Sequence, residues 1–499
     1  MKRHLLLIAS LLLALQGAAQ RAPVSLQDYG LATALTDTAR FNLLRRAHLD
    51  ALDAGTTVSY HGMDTLRLAI PAGAEPIPIG QHNDFGNTVF VVRNNSADLF
   101  LFQLAPTMEP LSTKAHCAAL CTAVDSGDFR AFPTLANGRW LLQVVDSTLW
   151  VGQRIGHRYG HYREELMRVD GGLSPDRPAM PYGSTTSRPY LLGRSIGADS
   201  TFLFANITLL RDSLSTFKTF LLNLESQYSA TLSRITVVTP RSDMTDDRIL
   251  RLYHCASLTL DSVTLLGSYS RTNHSGYGLL MDNCRNTRVL HLHARSPWGI
   301  FGTNNMHNTL LAYSDFDRFD IHCYGRDVTF RHCLQTDSYN QFSSVFGTIA
   351  FDSCTFYNFT PVLIESSYNA YPHFVLLMHD CHWHLTRQNH TLINAGHHDT
   401  LTPSRPELKA KCLPDIFIDG LSLSSPWLVR PRLIHYGGPV SPHPVGGISN
   451  AVILRLAGAR RLLPPITLSD KRVALSHPVN LLVTNPAGKP LMTKTLTSF

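Results

Sequence analysis

The sequence predicts an all-β chain wound into one long solenoid of parallel coils. Three observations carry that reading. A short apolar motif recurs with strand periodicity, a second strand precedes each copy at nearly constant spacing, and a helix followed by short strands stands ahead of the repeats, where an open solenoid end needs a cap.

The motif is apolar-x-apolar-x-x-apolar-x-apolar. It reads Leu258, Leu260, Val263, Leu265 in its first copy, then Ile349, Phe351, Cys354, Phe356, then Leu376, Met378, Cys381, Trp383, then Ile416, Ile418, Leu421, Leu423. Weaker copies start at Val289, Leu311 and Val328. Residues alternate inside the motif, which is strand periodicity and not the 3.6-residue helical one. No copy is long enough to bury its own apolar face. Stacking the copies so that each strand pairs with the next solves that, and spacings of about 17 to 31 residues suit solenoid coils. The two-residue interruption is then a bend between two strands. The segments starting at Tyr277, Trp298 and Phe319 lie 21 residues apart, and Phe342-Ser-Ser-Val-Phe and Val362-Leu-Ile-Glu-Ser continue the series. Cys333, Cys354 and Cys381 share one motif position, which predicts a ladder of buried thiols and not disulfides.

Ala39 to Asp53 has helical apolar spacing with Gly55 as its stop. Short strands at Thr57 to Tyr60, Leu66 to Ile70 and Val89 to Val92 follow it, and together they would cover the bare solenoid edge. At the start, Lys2 and Arg3 precede an apolar run from Leu5 to Leu15 and the small residues Gly17-Ala18-Ala19. That run is too short to span a bilayer and fits a secretory leader. The expected organisation is a leader over 1–19, a solenoid over 20–430 with an insertion at about 109–200, and a C-terminal cap or small β module over 431–499. The mature chain is expected to be secreted or periplasmic.

The capping helix followed by coils of the form x-Cys/Asn-x-Asn-x-apolar resembles the pectate-lyase-like right-handed parallel β-helix superfamily. Polysaccharide lyases, some glycosidases and phage tailspike depolymerases belong to it. The segment SPWGIFGTNNMHNTLLAYSDFDRFDIHCYGRDVTFRHC, Ser296 to Cys333, is similar to β-helix segments of phage tail proteins and secreted bacterial proteins. The resemblance implies a right-handed β-helix. Function has to come from the site, because one fold hosts many activities.

At 44% hydrophobic and 16% charged, the chain can bury a large core. Its formal charge of +7 falls to +5 without Lys2 and Arg3, a mild basic excess that suits an acidic polysaccharide partner as well as ordinary surface charge does. No Lys/Arg-dense stretch with interleaved aromatics occurs, so nucleic acid is not an expected partner. No apolar run of membrane-spanning length occurs, so no membrane partner is expected either. Oligomeric state is not legible. The nine cysteines form no CxxC pair, which argues against a zinc site.

Alternation places Phe319, Ile321 and Cys323 inward, in the column of Trp298, Ile300 and Gly302. Arg318, Asp320, His322 and Tyr324 then face outward together. That set suits β-elimination on a uronic-acid polymer. His322 has a pKa range fit for the base, and Tyr324 can protonate the leaving oxygen. Arg318 can hold the substrate carboxylate through two hydrogen bonds, and Asp320 can orient the imidazole. Lyases of the superfamily often use Lys or Arg bases with calcium, from which a His/Tyr pair departs. Glu365, His293, Asn304, Phe301 and Arg326 are the substrate-binding candidates. Glu365 is expected outward two coils on, about 10 Å from His322, and Asn304 in the turn after Trp298. No metal site is assigned and no cofactor is expected. Asp315-x-Asp317-x-x-Asp320 has the oxygen count for calcium, the alternative to a simple turn.

Two competing functions remain. A glycoside hydrolase would use Asp320 and Glu365, at a separation closer to the inverting than the retaining arrangement. A non-catalytic glycan-binding or structural β-helix would use exposed aromatics such as Phe301, Trp298 and Tyr313. No GxSxG elbow occurs, which argues against a serine hydrolase of that kind. His397-His398-Asp399 and the patch His157, Arg158, Tyr159, His161, Tyr162 are further places for polar chemistry.

Overall fold

The computed structural model describes residues 22–104 and, with breaks, 140–498, the longest breaks being 169–186, 398–414 and 436–451. The expected leader, Tyr324, His157 to His161, His398 and Asp399 lie outside the described residues.

One helix, α1 (Asp37–Ala54), opens the fold. The Thr36 side-chain oxygen accepts the Ala39 N–H at 3.1 Å, so the helix starts two residues before its apolar spacing does. Gly55 ends it in the left-handed conformation at φ 63° and returns its N–H to the carbonyls of Ala51 and Leu52. Phe41, Leu44, Ala47, His48 and Ala51 face the first coil. No helix among the described residues is long and apolar enough to cross a membrane.

The rest is a parallel β-helix. A front sheet of 12 strands runs from Ile77–Ile79 through Thr219–Glu225, Gly299–Asn304, Phe319–Cys323 and Thr360–Glu365 to Thr467–Ser469. A second, bent sheet carries the motif. In it Leu258, Leu260, Val263 and Leu265 pair with Ala230, Leu232, Ile235 and Val237, which pair in turn with Phe202, Phe204, Ile207 and Leu209. All these residues are buried. Two full copies therefore precede the first one read from the sequence. Leu260 is also paired with Val289, Val289 with Leu311, and Leu311 with Phe330. The copies assigned to Val289 and Leu311 thus begin two residues earlier, at the buried Thr287 and Thr309.

The interruption in the motif is a bend whose second residue is left-handed on coil after coil: Asn206, Arg234, Ser262, His291, Tyr313, His332, Ser353, Asp380 and Gly420. Such a conformation costs a non-glycine residue roughly 1–2 kcal/mol, and the paired strands on either side hold it. The thiols of Cys333, Cys354 and Cys381 stack inside as free, buried side chains. Backbone bonds of 2.8 Å link Thr355 N–H to the Cys333 carbonyl and His382 N–H to that of Cys354. Burial pushes the Cys381 thiol up to about 12, so it is inert packing.

Parallel pairing continues past residue 430, from Leu421–Ser424 to Val452–Ala457 and on to Ala474–Thr484. The antiparallel strand Pro490–Ser498 then ends the sheet. Between Leu99–Leu104 and Phe202–Arg211 the chain forms separate antiparallel strands, Thr148–Gly156, Tyr162–Arg168 and Ser187–Tyr190.

Candidate functional site

The strand Phe319–Cys323 lies in the front sheet between Gly299–Asn304 and Tyr339–Ser343. Phe319 pairs with Ile300 and Ile321 with Gly302, so the strand sits two residues out of the register that a constant 21-residue repeat predicts. The parity survives, since Phe319 and Ile321 point into the core and are fully buried. The exposure does not. Arg318 is 2% exposed and Asp320 0%, where alternation placed both in solvent.

Their burial has a visible cause. Arg318 Nε donates to Asp320 Oδ1 at 2.6 Å, Nη2 donates to Gln341 Oε1 at 3.0 Å, and the guanidinium carbon lies 4.1 Å from the centre of the Tyr339 ring. Tyr277 Oη donates to Asp320 Oδ2 at 3.5 Å. Burial pulls the Arg318 pKa down, but the charge and hydrogen bond of Asp320 together with Tyr339 and Tyr277 hold the guanidinium above its ordinary value. Side chains from neighbouring coils thus roof the pair, and the strand Tyr162–Arg168 of the insertion comes against Gly299–Asn304 beside it. The row itself is covered over several coils: Leu280, Phe301, Asp320, Gln341 and Leu363 are register partners. Leu280, Asp320, Gln341 and Leu363 are each under 9% exposed.

Two positions further along each strand runs a second row. Glu225 pairs with Tyr253 and Tyr253 with Asp282. Continuing the strand registers by one residue puts Asp282 beside Thr303, Thr303 beside His322 and His322 beside Ser343. Ser343 then pairs with Glu365 and Glu365 with His397. His322 and Glu365 therefore share one row two coils apart, about 10 Å at the usual strand spacing. Glu225 and Tyr253 lie on strands upstream of the 21-residue series, and Asp282 stands just past the aligned segment Tyr277 to Met281, so the series itself signals none of the three.

Other candidates fall elsewhere. Phe301 is the register partner of Asp320. Asn304 closes its strand opposite Cys323, in the parity of the core residues Phe319 and Ile321, and not in a turn. Arg326 opens a strand of the bent sheet, in a row with His307 and Phe346. His293 is on the bent sheet too, half-buried, with Nδ1 3.3 Å from Asp315 Oδ2. The calcium set does not converge. Asp315 and Asp317 pair with Arg295 on the bent sheet, while Asp320 pairs with Arg318 on the front sheet. The hydrolase pair, Asp320 and Glu365, lies two coils and two residues apart, about 12 Å between backbone positions.

No protein-family model and no curated protein matches the chain. Among solved structures it is similar to the tailspike protein gp49 from Pseudomonas phage LKA1, at 13% identity over 91% of this chain and 79% of that one, with a TM-score of 0.36. It is also similar to the gp54 tailspike of Acinetobacter baumannii bacteriophage AP22 in complex with A. baumannii capsular saccharide, at 8% identity over 93% and 69% of the two chains, with a TM-score of 0.29. The parallel β-helix itself rests on this chain's own strand pairing.

Proposed function

We propose that the chain is an exported, glycan-acting β-helix that cleaves an acidic polysaccharide by β-elimination on the front sheet. The observation that supports this most is the row holding His322, Ser343, Glu365 and His397 on successive coils, beside a buried Arg318–Asp320 pair. An extended polymer lying across the coils would meet one residue of that row about every 4.8 Å.

In this reading His322 takes the proton beside the substrate carboxylate, the bond to the leaving oxygen breaks, and Tyr324 gives that oxygen its proton. The product carries a new carbon–carbon double bond. Arg318 no longer serves as the carboxylate clamp, because Asp320, Gln341 and Tyr339 already occupy it. It becomes a positioning residue.

Absorbance near roughly 232 nm, where unsaturated uronates absorb, tests the reaction on glycosaminoglycans, pectins and alginate. A rise in the wild type that His322→Ala loses is expected. A rise that the variant keeps moves the base elsewhere. New reducing ends without absorbance indicate hydrolysis, and neither signal indicates a binding or structural role.

A further inference from the structure

The bent sheet carries a second polar constellation, on its outer face and away from the front sheet. The strands His382–His384 and Leu421–Ser424 are parallel neighbours, with His382 opposite Ser422 and His384 opposite Ser424. Trp383 and Leu423, between them, point into the core and are buried. The two histidines and two serines therefore stand together on the outside, all half-buried.

Their hydrogen bonds form one directed chain. Ser422 Oγ lies 3.3 Å from the Cys381 carbonyl, which can only accept, so the hydroxyl donates there. The Ser422 oxygen then accepts from His382 Nδ1 at 2.8 Å. With its proton on Nδ1, neutral His382 carries a lone pair on Nε2, and this accepts the Ser424 hydroxyl proton at 2.8 Å. The Ser424 oxygen is held from its other side by His384 Nδ1–H, also at 2.8 Å. Every hydroxyl and ring proton in the chain has one place to go, and a main-chain carbonyl fixes the direction. Burial first, and His384 second, lower the pKa of His382, which favours the neutral ring this chain requires.

We propose that Ser424 and His382 form a nucleophile–base pair that hydrolyses carboxylic esters. The arrangement has the logic of a catalytic triad: a hydroxyl within reach of an imidazole whose other nitrogen is oriented by a third group, here Ser422. Ser424 Oγ attacks the ester carbonyl carbon and His382 Nε2 takes its proton. The carbon–oxygen bond to the alcohol breaks, and His382 returns the proton to the departing oxygen. Water, activated by the same imidazole, then releases the acid and restores the serine. His384 Nδ1–H is the donor nearest an ester carbonyl seated on Ser424 Oγ. The next coil puts Ala457 in the row of Ser424, while Tyr357, 4.8 Å from His384 between ring centres, walls the other side. That combination of small residue and aromatic wall suits a small acyl group. A GxSxG elbow presents a serine at a strand-to-helix turn, so the motif's absence does not bear on a serine carried by a strand.

The test is labelling of the purified full chain with a fluorophosphonate probe, with the adduct located by peptide mass mapping, alongside p-nitrophenyl acetate hydrolysis. The expected result is an adduct on Ser424 in the wild type. His382→Gln, which keeps hydrogen-bonding capacity but no base, should slow labelling by about 10²-fold or more. Ser422→Ala, which removes only the orienting group, should lower kcat for the ester and leave KM unchanged. No adduct, an adduct on another residue, or labelling undiminished in His382→Gln overturns the proposal. The wild-type result alone decides if a variant fails to fold.

Discussion

Removing the Asp320 carboxylate should unfold more than it disables. Asp320→Ala removes the carboxylate that Arg318 Nε donates to, while the guanidinium stays at 2% exposure against Gln341 and the Tyr339 ring. Breaking a buried ion pair from one side costs about 3–5 kcal/mol, because the charge left behind is neither solvated nor matched. Replacing both partners by apolar residues of similar volume, Arg318→Met with Asp320→Leu, is often neutral or stabilising by roughly 1–4 kcal/mol. The double variant should therefore be more stable than Asp320→Ala alone. Urea unfolding followed by tryptophan fluorescence measures both. Asp320→Ala within about 0.5 kcal/mol of wild type, the range of surface substitutions, would refute the buried-pair argument. A double variant less stable than the single would refute it too. The same set bears on activity. If Asp320 only positions, activity should follow the folded fraction, whereas a folded but inactive Asp320→Asn would return it to the chemistry.

Two further outcomes follow from the fold. His48 of α1 is buried with Nε2 2.6 Å from the Tyr60 hydroxyl, and burial lowers its pKa from 6.5 to about 3. The unfolded chain then binds the proton more readily, so this contribution is complete above about pH 6.5 and is lost as pH falls toward 3. The loss is about 1.4 kcal/mol per unit and at most 4–5 kcal/mol; denaturation midpoints between pH 7 and 4 measure it, and His48→Gln should flatten that slope. Gly420 ends the column of left-handed bends at φ +76°, and a Cβ there would overlap Asp380 Oδ1. Gly420→Ala should cost about 1–2 kcal/mol for the backbone alone, plus the clash. Adding Asp380→Ala should recover only the clash, as thermal melting of the two variants will show.

The bent sheet was legible because its outer face is wet. Thr259, Asp261 and Thr264 alternate with Leu258, Leu260, Val263 and Leu265, and the period appears directly in the letters. Two copies read two residues late because a buried threonine, Thr287 or Thr309, takes their first apolar position, and its hydroxyl reads as polar while its methyl packs. The left-handed column was invisible for a different reason. Glycine or asparagine would have signalled it, but Arg234, His291, Tyr313 and His332 occupy it, held by pairing to neighbours instead of by local preference. Register in the front sheet slipped by two residues because Phe319 pairs with Ile300, 19 residues earlier, and pairing is set by turn length and not by the mean repeat.

Parity and exposure are separate properties in a solenoid, and the candidate site shows why. Alternation fixes which side of the sheet a residue leaves from, and Asp320 stands between the core residues Phe319 and Ile321. What lies beyond that side depends on residues distant in sequence. Tyr277 comes from two coils before and Tyr339 from the following coil, and the strand Tyr162–Arg168 comes from the insertion. No local window contains them. A charged pair at outer positions therefore reads as surface until its neighbours are known, and then as a desolvated pair whose electrostatics are far stronger than in water. Along this row Leu280 and Phe301 are followed by Asp320 and Gln341 and then by Leu363. The burial of Leu280, Asp320, Gln341 and Leu363 places the cover over this row, two residues from the row of His322 on which the proposed chemistry depends.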